Sequence, residues 1–88
     1  MKRFLLVDDH VVVRSGIKIL LSEMYDPAEI HEAMNGDTAA AKLKENQYDL
    51  ILLDIQMPNT DTLGLMEYIH ITYPDAKGLM FSMSAGNI

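Results

Sequence analysis

Two short apolar runs in this chain each end in carboxylates: Phe4-Leu5-Leu6-Val7 leads into Asp8-Asp9, and Leu50-Ile51-Leu52-Leu53 leads into Asp54. A continuous apolar run of this length fits a strand buried on both faces, as central strands of parallel sheets are. If the two strands lie side by side, three carboxylates converge on the rim where open α/β sheets place their ligands. Two unit charges about 4 Å apart repel by roughly 4 kcal/mol at the effective dielectric of a protein surface, so three carboxylates stay ionised together only with a cation among them. The pattern predicts a site for a hard divalent metal.

Between these strands the apolar period changes from two to nearly four. Val13, Ile17, Leu20, Leu21 and Met24 form one stripe on a helix from about Val11 to Met24, which Asp26-Pro27 ends. Ala28 to Met34 reads as a second strand. Asn35-Gly36-Asp37 supplies a turn and an N-cap for a weakly apolar second helix carrying Ala39 to Glu45, expected on the surface. After Leu50 to Leu53 comes a loop containing Pro58. Leu65, Met66, Ile69 and Tyr73 then mark the inner face of a third helix that Pro74 stops, and Gly78 to Phe81 is a fourth strand. Strands alternating with helices predict a parallel sheet with right-handed crossovers.

Composition narrows the function. At 88 residues there is room for one small domain with a thin core. Seven Lys and Arg against 13 acidic residues give a net charge of −6, without the basic footprint of a nucleic-acid binder, so no direct DNA binding is expected. The absence of cysteine excludes disulfides, zinc-thiolate sites and thiol catalysis and fits the cytoplasm. No apolar run has the length of a membrane span or of a signal segment with its cleavage site.

Asp8-Asp9 after the first strand, Asp54 after the third, the following Met57-Pro58, and Ser82 after the fourth together resemble the response-regulator receiver domain of two-component signalling. The likeness covers the whole chain, and Asp8-Asp9-His10 followed by Arg14-Ser15-Gly16-Ile17 is closer to receivers that precede a helix-turn-helix DNA-binding domain, the LuxR/NarL-like group. The resemblance implies an α/β, flavodoxin-like parallel sheet of order 2-1-3-4 with flanking helices. It also implies a phosphoacceptor module rather than a turnover enzyme. Asp54 would take a phosphoryl group from a phosphohistidine on a sensor histidine kinase or from a small phosphodonor. Asp9 and Asp54 would ligate Mg²⁺ directly, Asp8 through water, and the backbone carbonyl of Gln56 would add an oxygen, a shell of the kind Mg²⁺ prefers. Ser82 would be the switch hydroxyl, with Ser84 as its rival.

Plainer readings stand beside these. Asp9 could cap the first helix, and Ser82 and Ser84 could be ordinary loop hydroxyls. His10, beside the acidic pair, could be a metal ligand or a phosphate carrier, but it reads as a surface loop histidine, because hard Mg²⁺ prefers oxygen. His31 and His70 read as solvated or satisfied, and the methionines as core filler. Two departures from the family pattern matter. Asp61-Thr62 stands where receivers usually have Asp-Gly, which predicts strain at Thr62 if that position needs a positive φ. The sequence also ends at Ile88, before the family's fifth strand with its lysine and switch aromatic. The expectation is a truncated receiver over residues 1–88 with no second domain, whose bare fourth strand favours a homo-oligomer or domain-swapped dimer. The alternative function is then a self-associating fragment that binds metal without relaying phosphate. A haloacid-dehalogenase phosphatase would need an aspartate where Gln56 stands, no glycine-rich phosphate loop is present, and an FMN phosphate would meet acid after the first strand.

Overall fold

The computed structural model describes residues 2–58 and 60–81. Along the chain lie β1 (Lys2–Val7), α1 (Val11–Met24), β2 (Ala28–Ala33), α2 (Gly36–Glu45), β3 (Leu50–Asp54), α3 (Thr62–Thr72) and β4 (Lys77–Phe81). The strands form one parallel sheet of order β2-β1-β3-β4, as the flavodoxin-like expectation required. Because side chains alternate along a strand, Leu5, Val7, Ile51 and Leu53 point to one face and Phe4, Leu6 and Leu52 to the other. The first set is completely buried under Ala39 and Leu43 of α2 and Met66 and Ile69 of α3. The second set packs against Leu21 of α1. Double-sided burial is why residues 4–7 of β1 and 50–53 of β3 are uniformly apolar, and it holds the two strand ends rigidly. Among the described residues no helix is long and apolar enough to cross a membrane.

Two helices differ from their sequence expectations. The second was expected on the surface, yet its Ala39 and Leu43 are buried. Alanine contributes little to a hydrophobicity count but lets a helix axis approach the sheet closely, so small residues here mark contact. The α1 stripe is only partly used: Leu21 is buried and Ile17 half-buried, while Leu20 and Met24 are 58% and 69% exposed. This helix meets the sheet along a narrow line. The methionines also divide, with Met57 and Met66 buried but Met24, Met34 and Met80 exposed.

Helix starts are set by side chains. Asn35 caps α2, its side-chain oxygen accepting from the Thr38 amide at 2.8 Å. Asp61 does the same for α3, accepting from the Gly64 amide at 3.0 Å. A Cβ at position 64 would collide with that carboxylate. Thr62 is buried and opens α3 with a helical backbone, so the loop places no left-handed demand on it and the expected strain does not arise. Replacing the α2 cap in Asn35→Ala should lower stability by about 1 kcal/mol. Urea denaturation would read this directly, and a loss of only a few tenths would show that α2 starts without its cap.

Candidate metal centre

Parallel register brings the acids together. Phe4 lies beside Leu50 and Val7 beside Leu53, so the next position on β1 is Asp8 and the next on β3 is Asp54. Both strand ends are clamped by ladder bonds: the Asp8 amide donates to the Ala33 carbonyl at 3.0 Å, and the Ile55 amide to the Phe81 carbonyl at 2.9 Å. Asp8 and Asp54 are 1% and 2% exposed, respectively, and Asp9 is half-buried. The Gln56 amide donates to Asp54 Oδ1 at 2.9 Å, which fixes the carboxylate's orientation and puts Gln56 next to the cluster. Ser82 and Ser84 lie outside the described residues.

Two further residues enter that sequence reasoning had set aside or not named as functional. His10 is half exposed, as a surface histidine should be, but its ring turns into the acids. Its Nδ1 lies 2.9 Å from Asp8 Oδ1, 3.0 Å from Asp9 Oδ1 and 3.4 Å from Asp54 Oδ2, while its amide donates to Asp8 Oδ1 at 2.8 Å. The only sequence signal for this was adjacency to the acidic pair. Arg14, one turn into α1, donates through Nη1 to the Asp8 backbone carbonyl and through Nε to Glu32 Oε1 at 3.0 Å. Lys18 holds the other Glu32 oxygen at 3.1 Å. Burial alone would push the Glu32 carboxyl up, but the hydrogen bonds from Lys18 and Arg14 outweigh it and hold the pKa below its usual value. Glu32 thus anchors Arg14 behind Asp8. Arg14→Ala should cost about 1–3 kcal/mol by stranding partly buried polar groups, against less than about 1 kcal/mol for the more exposed Lys18→Ala. Equal losses in chemical denaturation would refute this division of roles.

The capping explanation for Asp9 fails on geometry. The N-cap of α1 is His10, and no side chain makes a capping bond there. Instead Asp8 Oδ2 is buried without any hydrogen-bond partner, and Asp9 Oδ1 makes no hydrogen bond and has only the His10 ring nitrogen beside it at 3.0 Å. Leaving carboxylate oxygens so placed is costly unless something positive meets them. One ligand atom from each of Asp8, Asp9, His10 and Asp54 lies within 4.8 Å of the others, so these residues fit a divalent cation.

Electrostatics point the same way. Burial pushes the Asp54 carboxyl above its usual value; the Gln56 amide pulls it down, and neighbouring Asp8 raises it further. The His10 imidazole is raised by its hydrogen bond to Asp8 and by the charge of Asp9. For a group whose folded pKa is raised, the native state holds the proton more tightly than the unfolded chain does. Its contribution to stability is therefore present below the unfolded pKa and lost as pH rises through the folded one. In chelator, the two groups should erode stability as pH climbs, Asp54 from about 3.8 upward and His10 from about 6.5 upward. Thermal unfolding from pH 4 to 9, compared with Asp54→Asn, checks this. If the two proteins show the same profile below pH 6, Asp54 has no such role.

The remaining histidines behave as expected. His31 is satisfied, with Nδ1 2.6 Å from the Tyr48 hydroxyl and Nε2 2.8 Å from Glu29 Oε2, and His70 is exposed on α3. A concavity lined by Arg3, Tyr48, Asp49 and Tyr73 lies at the opposite ends of the strands, where Arg3 is already engaged by Glu29 and Asp49. It offers the acidic cluster nothing.

Comparison with known proteins agrees with this geometry. The protein-glutamate methylesterase/protein-glutamine glutaminase of Trichodesmium erythraeum is 40% identical over 80 residues, covering 91% of this chain and 23% of that protein. The nitrate/nitrite response regulator protein NarL of Escherichia coli is 34% identical over 80 residues, covering 91% of this chain and 37% of that protein. The chain thus spans between about a quarter and two fifths of these relatives' lengths. Among solved structures, the response regulator TrrA of Thermotoga maritima in complex with Mg(2+)-BeF superposes with a TM-score of 0.84 at 36% identity, over 98% of this chain and 73% of that one. In its complex with the histidine kinase ThkA, TrrA gives a TM-score of 0.82 over 97% and 72%. The family description "response regulator receiver domain" matches residues 4–87, which takes in both acidic strand ends and all of the sheet but the first two residues of β1. With sheet order, acidic rim and sequence in agreement, the chain belongs to the response regulator receiver domain family.

Proposed function

We propose that this chain is a phosphoacceptor module of a two-component relay, with Asp54 as the acceptor. The observation that carries the reading is the Asp54 carboxylate itself, buried at a strand end and held in one orientation by the Gln56 amide. An oxygen of Asp54 attacks the phosphorus of a phosphohistidine. The new O–P bond forms as the P–N bond breaks, its electron pair returns to the imidazole nitrogen, and an acyl phosphate remains on Asp54. Asp8, Asp9 and Asp54, with the carbonyl of Gln56, would hold Mg²⁺, which would neutralise charge on the carboxylates and on the transferred phosphoryl oxygens. Positioning is the chain's main contribution to the chemistry, and the ladder bonds and Arg14 supply it. Ser82 is assigned the switch hydroxyl that senses the phosphoryl group.

TrrA's complexes with Mg(2+)-BeF and with the histidine kinase ThkA support a sensor histidine kinase as donor and Mg²⁺ as cofactor. A cytoplasmic location is part of this reading, because the phosphohistidine donor of such a relay is met there. The esterase activity in the name of the T. erythraeum relative belongs to a protein of which the matched segment is 23%, and it is not assigned to this chain. Titration with beryllofluoride and Mg²⁺, followed by amide NMR at Asp54 and Gln56 and by light scattering, tests the proposal. Saturable shifts that require both components support it. Mg²⁺ binding without any response to beryllofluoride would leave a metal-binding scaffold in its place.

A further inference from the structure

We propose that the outer edge of β4 is a docking surface for a second copy of this chain, the two joined as an antiparallel pair of β4 strands about a two-fold axis at Leu79. Among the described residues β4 has a strand on one side only. The Lys77 amide donates to the Asp49 carbonyl and the Phe81 carbonyl accepts from the Ile55 amide, so both residues turn main-chain groups toward β3. Direction alternates along a strand, so Leu79 also faces β3, while Gly78 and Met80 turn their amides and carbonyls outward. With Leu79 opposite Leu79 of the second copy, Gly78 of each copy lies opposite Met80 of the other, and each such pair exchanges both of its hydrogen bonds. A register centred on Gly78 or on Met80 would set the other of these two opposite a residue outside the strand.

Side chains and charge select this edge and this occupant. Leu79 and Met80 are 55% and 41% exposed on opposite faces of the sheet, level with Leu52 and Leu53 of β3. The two-fold sets Leu79 against its own copy and each Met80 beside a glycine, so both apolar groups leave water and the larger one meets no side chain opposite. The sheet's other edge, β2, is guarded by charge: Glu29 is held by Arg3 and His31, and Glu32 by Arg14 and Lys18. A strand laid there would take those ionised groups out of water. β4 carries only Lys77 and no acid, which matters when each copy brings a net charge of −6. Antiparallel pairing also sends the two acidic rims to opposite ends of the joined sheet, so neither copy covers the other's site.

Paired strands this short make a small, weak interface, so sedimentation of the full chain should show its mean mass rising from one copy toward two between about 10 μM and about 1 mM. Leu79→Lys and Leu79→Glu should each stay at one copy, because like charges then face each other across the axis, and an equimolar mixture of the two should recover the mass of two. Amide hydrogen exchange of the wild type needs no variant. Gly78 and Met80 should slow by about tenfold over the same concentrations, while Ile30 and Glu32 on β2 keep their rates. A mass of one copy at about 1 mM overturns the proposal, as does a mixture that fails to pair. A rise in mass with Gly78 and Met80 exchanging unchanged puts the contact elsewhere and overturns it equally. Slow exchange at both residues that ignores concentration means that the same copy covers its own edge, and the proposal falls.

Discussion

Asp54→Asn will leave the chain folded and reduce phosphoryl uptake by at least about a thousandfold, measured with a small phosphodonor or with a phosphorylated kinase domain. Asparagine keeps the shape of the side chain and can still accept from the Gln56 amide, but its amide oxygen is no nucleophile. The same substitution should raise stability when no divalent cation is present. Asp54 is buried beside Asp8 and its carboxyl is pushed upward by that burial, so its charge is unfavourable at neutral pH. Because each 1 kcal/mol moves the Tm of a domain of this size by about 4–8 °C, the relief should be visible as a raised metal-free Tm. In excess Mg²⁺ the order should reverse, because the wild type alone gains the full binding energy. A variant that still formed the acyl phosphate would remove Asp54 from its role. One with an unchanged metal-free Tm would remove the electrostatic account of the cluster.

Ile51→Ala should bring the largest loss of stability, about 3–4 kcal/mol. Ile51 is fully buried on β3, between β1 and β4 and beneath the helices of the larger core. A chain of this length has a total stability of roughly 4–13 kcal/mol, and toward the lower end of that range such a loss leaves a substantial unfolded fraction at 37 °C. Leu20→Ser, on the exposed flank of α1, should change stability by no more than about 0.5 kcal/mol even though both leucine and isoleucine look like core residues in the sequence. Urea melts of the two variants make the comparison. Similar losses would mean that α1 is covered by something that packs on Leu20 in solution.

That contrast shows where sequence reading succeeds. The strands and α1 were legible because their signals are local: four apolar residues in a row for β1 and β3, and a helical period bounded by Pro27 for α1. The convergence of Asp8, Asp9 and Asp54 was legible because strand direction and register follow from fold class. What depends on packing was not. Ala39 carried too little hydrophobicity to reveal that α2 lies flat on the sheet. Leu20 and Met24 carried enough to suggest burial that α1's narrow contact does not provide. Arg14 behind Asp8 and His31 against Tyr48 are pairings across elements, and nothing in the local sequence announces them. His10 was weighed by residue type alone, and only its ring orientation places it among the acids.

The adjacency of Asp8 and Asp54 also governs when the site can exist. These residues lie just over half the chain's length apart, and β1 pairs on both sides with strands that follow it in the sequence. During synthesis the first strand can pair with β2, but its other edge stays open until β3 has been added, and Asp8 and Asp54 do not come together before then. Closing so long a loop must precede the contacts that reward it, which slows folding relative to a helical bundle of equal length. A cation that recognises only the finished rim has nothing to hold before that closure. Where the rim assembles after the folding barrier, such a cation retards unfolding and leaves the folding rate unchanged. The strand order thus makes the pocket a late-forming latch, whose occupancy lengthens the lifetime of the folded chain.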